Sequence, residues 1–88
     1  MKNLETLRAE IDKIDVKILN LIKERIDIVK GIRQLKKESE MRIEHPEREA
    51  SLLVMWQETA MELGLDLKLM ESILHTLLKL SKNAQEKP

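Results

Sequence analysis

The chain has no cysteine, which excludes disulfides and thiolate metal sites. Its two histidines, His45 and His75, lie 30 positions apart and outside any ligand motif, so no zinc or other metal site is expected. Aromatic residues are almost missing. Trp56 stands alone, and nucleic-acid bases would find no stacking platform. An excess of one charge is missing too: 16 basic side chains balance 16 acidic ones, whereas a nucleic-acid binder carries a basic surplus. No apolar run is long enough to span a bilayer, and the opening Met-Lys-Asn-Leu-Glu lacks the apolar stretch of a signal peptide. A cytoplasmic protein is expected, with neither membrane nor nucleic acid as a partner.

Strand signals are also lacking. There is no sustained period-two alternation and no Asn-Gly or Asp-Gly hairpin, and only two glycines and two prolines punctuate the 88 residues. What is present is helical periodicity. With Leu4 as heptad position a, the a positions are Leu4, Ile11, Ile18, Arg25 and Ile32, and the d positions are Leu7, Ile14, Leu21, Ile28 and Leu35. This predicts one helix from about residue 3 to 38, roughly 50 Å long at 1.5 Å per residue. A chain this short buries only a small core, and such a helix needs a partner along its whole seam. A second copy of the chain is the simplest source. Gly31 is the one break candidate within this helix, and a lone glycine there is tolerable.

Pro46 suits the first turn of a second helix, with Glu47 and Glu49 favouring the positive end of its dipole. Gly64 ends that helix at about residue 63, and Asp66 caps a third over about 67–85. The apolar stripe of the third helix reads Leu67, Met70, Ile73, Leu74, Leu77 and Leu78. The expected fold is all-α: one domain with one long helix and two shorter ones (3–38, 46–63, 67–85), wound together with a second copy.

Arg25 breaks the Leu/Ile seam. A buried, unpaired cation is very costly, so it must meet an anion or reach water. A register-setting ion pair would suffice, as would a side chain that snorkels out of the seam. Lys36 follows eleven positions later and returns to nearly the same face, with Val29 and Ile32 as an apolar floor between. Two long cationic side chains bracketing such a floor would hold a small dianion. Ser81 and Gln85, four apart on the third helix, share the stripe of Leu74 and Leu78. They read either as neutral hydrogen-bonding groups or as a helix end turning polar. Arg48 and Glu49 sit in the first turn of the second helix, where a solvated turn explains them equally well. Arg8 is at position e, where a charge is ordinary in a coiled coil. No nucleophile–base pair and no phosphate loop is visible. The set suits a reaction that needs shape and charge, little proton transfer and no cofactor.

Taken together, Arg8, the Arg25 of Glu24-Arg25, Lys36, the run His45-Pro46-Glu47-Arg48-Glu49, Ser81 and Gln85 resemble the all-helical chorismate mutase family in order and spacing, over essentially the whole chain. The resemblance implies two intertwined chains with two equivalent sites, each using Arg8 from one chain and the other residues from its partner. It implies chorismate as substrate and prephenate as product. Arg8, Arg25 and Arg48 would clamp the carboxylates, and Lys36 and Gln85 would donate to the ether oxygen. Glu49 would accept from the ring hydroxyl, and Ser81 would assist a carboxylate. His45 departs from the acidic residue that family members often carry before the second helix, so it bears on hydroxyl recognition. His75 reads as a surface or packing residue. Two other readings fit parts of the pattern. An isochorismate pyruvate lyase would use a similar charged pocket, and a non-catalytic dimerisation module explains the heptads but not the inward-facing cations.

Overall fold

The computed structural model describes residues 3–38 and 46–86, and those residues form three helices and no strand. They are α1 (Leu4–Glu38), α2 (Pro46–Leu63) and α3 (Leu67–Glu86). Three of these helix ends have a local cause in the backbone and its caps. Asn3 Oδ1 accepts from the Thr6 N–H at 2.9 Å and caps α1. At the end of α2, Gly64 takes φ 69°, in the left-handed region. Its N–H donates to the Met61 carbonyl at 3.2 Å, and the Leu65 N–H reaches back to the Ala60 carbonyl at 2.8 Å. These two bonds make a Schellman closure, which satisfies carbonyls that the helix would otherwise leave open. Two residues later Asp66 Oδ1 accepts from the Leu69 N–H at 2.9 Å and starts α3. The α2–α3 connection is therefore a tight corner closed by a backbone motif on one side and a side-chain cap on the other.

The third helix is the hub. It packs against both α1 and α2, while α1 and α2 do not pack on each other among the described residues. The core is small. Leu52 and Ala60 of α2 are buried, and so is Leu74 of α3, which is the most buried large side chain described. Leu67 and Ile73, placed on the inward stripe of α3 by its pattern, are exposed instead. The stripe that is covered runs Met70, Leu74, Leu77, Leu78 and Ser81, which keeps the spacing of three and four but turns slightly about the axis.

The face of α1 that receives α3 is not the Leu/Ile seam. Between residues 22 and 36 the half-buried positions are Ile22, Arg25, Ile26, Val29, Arg33 and Lys36, a second stripe beside the first. All nine apolar residues of the seam are left exposed, from Leu7 at 44% to Ile28 and Leu35 at 64%. The outline is correspondingly long, 57 × 29 × 16 Å with a radius of gyration of 16.5 Å. A compact chain of this length would have about 12 Å. Fully burying one Leu or Ile is worth about 1.5–3 kcal/mol, so covering nine half-exposed ones is worth on the order of 10 kcal/mol. That matches the whole stability of a small domain.

Candidate functional site

Arg25 interrupts the seam and points the polarity of α1 at α3. Its side chain is half-buried, and Nη1 donates to the Ser81 hydroxyl oxygen at 3.1 Å, across 56 positions of sequence. Ser81 is 4% exposed. It lies four residues past Leu77 and seven past Leu74, on the covered stripe, where a leucine would fill the space the guanidinium now enters. The register-setting ion pair is not observed: among the described residues no carboxylate meets Arg25, and its described partner is neutral. A guanidinium carries five N–H donors in a planar fork. One is directed to Ser81, and the rest of the fork remains suited to a carboxylate.

Lys36 is half-buried on the same side of α1, about 16 Å further along the axis. Of the floor expected between the two cations, Val29 is half-buried and Ile32 is exposed at 47%, so the floor is narrower than the pattern implied. Gln85 belongs to the last turns of α3, one turn past Ser81. Arg25, Ser81, Lys36 and Gln85 thus belong to the packed pair α1–α3, and a hydrogen bond joins the first two.

The other expected residues stand apart within one chain. Arg48 and Glu49 occupy the first turn of α2 and are exposed; among the described residues neither side chain bonds to α1 or α3. The Arg48 carbonyl accepts from Ser51 Oγ at 3.2 Å, a bond that serves the helix start. Arg8 is exposed near the start of α1, 17 positions from Arg25. His45 lies outside the described residues. His75 is exposed, with Nε2 3.6 Å from Glu71 Oε1 on the same helix, away from these groups.

One feature was not foreseen. At the α2–α3 corner Met55, Trp56, Thr59, Ala60, Leu63, Leu65 and Met70 line an open apolar cleft of about 250 Å³. It lies at the opposite end of the α2–α3 pair from Arg48 and Ser81. The available signal was the pair Met55-Trp56 followed by Leu63 and Leu65 around Gly64, a density of large apolar residues at a turn. Among the described residues no helix is long and apolar enough to cross a membrane.

Comparison with known proteins bears on this geometry. A family model described as chorismate mutase type II matches residues 7–86. A T-protein of Enterobacter agglomerans is 32% identical over 82 residues, covering 93% of this chain and 22% of that protein. A T-protein of Haemophilus influenzae is 30% identical over 79 residues, covering 90% of this chain and 21% of that protein. A bifunctional chorismate mutase/prephenate dehydratase of Aquifex aeolicus is 42% identical over 52 residues, 59% of this chain and 14% of that protein. The chain therefore spans at most about a fifth of the length of these curated relatives. No solved structure matches it.

Proposed function

Because the chain belongs to the chorismate mutase type II family, we propose that it rearranges chorismate to prephenate, as a homodimer whose two sites each draw on both chains. The observation that carries this reading is Arg25: a half-buried guanidinium, steadied by a neutral hydroxyl and with no described carboxylate to neutralise it. Such a group is poised for an anion brought from outside.

Chorismate has two carboxylates, an enolpyruvyl ether and a ring hydroxyl. In its Claisen rearrangement the ether C–O bond breaks as a C–C bond forms, with no net proton transfer and no covalent enzyme intermediate. A protein accelerates such a step by holding the compact chair-like conformer and by stabilising the charge that builds on the ether oxygen. Positioning and preorganised electrostatics can each lower the barrier by several kcal/mol. Arg25 would grip one carboxylate with its fork, and Ser81 would donate its hydroxyl proton to the same group. Lys36 and Gln85 would donate to the ether oxygen. Arg48 would hold the second carboxylate, and Glu49 would accept from the ring hydroxyl. His45, just before α2, would bear on hydroxyl recognition through its backbone.

Two facts support the dimer. The exposed Leu/Ile seam of α1 is covered by nothing described within the chain, and burying it is worth as much as the fold itself. Arg8 also stands about 25 Å along α1 from Arg25, too far to serve the same small substrate in one chain. A second α1 laid along the seam supplies both the missing apolar partner and the missing arginine.

The test is to incubate the purified chain with chorismate and, separately, with isochorismate. Loss of chorismate absorbance with a product that acid converts to phenylpyruvate supports the mutase. Release of pyruvate from isochorismate alone would replace it with the lyase reading.

A further inference from the structure

The chain is neutral overall, but its charge is not evenly spread. Residues 22–38 of α1 carry six cations against three anions. Residues 77–86 of α3 carry Lys79 and Lys82 against Glu86. The α2–α3 corner is the reverse: Glu58, Glu62, Asp66 and Glu71 stand against Lys68 alone. Residues 4–21 of α1, the half that the proposed dimer brings to the other chain, are close to balanced, with four acidic and three basic side chains.

Some of the cations at the site end are already placed. Arg25 and Lys36 belong to the site, and Lys23 Nζ pairs with Asp27 Oδ1 at 2.7 Å. Lys30 and Lys79 differ: both are exposed, and neither bonds to another described residue. Along α1, Lys30 lies between Arg25 and Lys36, five residues from one and six from the other, but about 130° round the helix from them. Lys79 is two residues from Ser81 and about 160° round α3. Each ammonium therefore stands about 15 Å from the space that Arg25 and Ser81 face, too far to touch a small molecule bound there but near enough to act on its charge.

We infer that Lys30 and Lys79 are steering residues, which set a positive potential at the site end and concentrate the dianionic substrate there without contacting it. This rests on the reading of the site as a chorismate receptor given above. Such a field passes through water when the Debye length is about 30 Å, at 0.01 M ionic strength, and is mostly screened when it is about 8 Å, at 0.15 M. The rearrangement leaves the total charge of the substrate unchanged, so a remote cation acts equally on bound substrate and transition state. It lowers KM and leaves kcat alone.

The double variant Lys30→Gln/Lys79→Gln tests this, since glutamine keeps the helix and removes only the charge. At about 0.01 M ionic strength its kcat/KM is expected to fall about threefold, with kcat unchanged, and at about 0.15 M to stay within about 1.3-fold of wild type. Lys30→Glu/Lys79→Glu reverses the two charges and should square the effect, to about tenfold at low salt. A loss that persists at 0.15 M, a fall in kcat, or equal effects of the neutral and reversed variants overturns the inference, because a local structural change would act in those ways. So does an unchanged kcat/KM at low salt. If the wild-type chain consumes isochorismate and not chorismate, the mutase reading falls, and the same salt series on that dianion decides the steering role separately. A chain that consumes neither overturns both.

Discussion

Arg8 and Arg25 lie on one unbroken helix, 17 positions and about 25 Å apart along its axis, so no small substrate bridges them within a chain. Arg8 is exposed and has no described role in holding α1 to α3. A structural charge in that place is worth little. Arg8→Ala should leave the melting temperature within about 2 °C of wild type. If Arg8 completes the partner's site, the same change should lower kcat/KM by about a hundredfold or more. Thermal denaturation and steady-state kinetics on one preparation separate the two effects.

Arg25→Leu asks the converse question. Leucine would continue the seam and remove a half-buried cation, so stability should be kept or raised by about 1 kcal/mol. Turnover should fall by at least about a thousandfold. A variant that melts higher and remains fully active would mean that Arg25 is only a register device.

The α2–α3 corner makes a purely structural prediction. Gly64 at φ 69° has open space where a Cβ would go, so Gly64→Ala is penalised by its backbone conformation alone. The expected loss is about 1 kcal/mol, seen as a lower midpoint in urea with unchanged slope. Asp66→Ala removes the acceptor for the Leu69 N–H and should cost about as much. The two sit within one turn of chain, so their double variant should depart from simple additivity.

The helical organisation was legible because punctuation and periodicity are local. Pro46, Gly64 and Asp66 stand at helix ends in the structure, where their backbone and capping chemistry puts them. The choice of neighbour was not legible. Heptads say that Leu4 through Leu35 want burial but not against what, and α3 takes the adjacent stripe of Ile22, Ile26 and Val29, which has the same spacing. The small shift that exposes Leu67 and Ile73 is of the same kind, since one residue turns a helix face by about 100°. In the site, charge in the wrong place marked Arg25, but its partner could not be read. Ser81 is 56 positions away, and a serine near a helix end has several ordinary explanations.

A flat pH response should follow if the ether-oxygen donor is Gln85. An amide donates at every ordinary pH, whereas a carboxyl in that place would have to be protonated first. Between pH 6 and 8, kcat should change by less than about threefold. A sigmoidal loss across that window would assign the step to an ionising group.

Mixing two dead variants tests the shared site most directly. Arg8→Ala and Arg25→Ala chains, each inactive alone, are combined, unfolded and refolded together. A heterodimer then has one site with both lesions and one with none. Random pairing makes about half of the dimers mixed, so chorismate turnover should recover to about a quarter of the wild-type value. No recovery, from a mixture shown to contain heterodimers, would contradict a site built from Arg8 of one chain and Arg25 of the other.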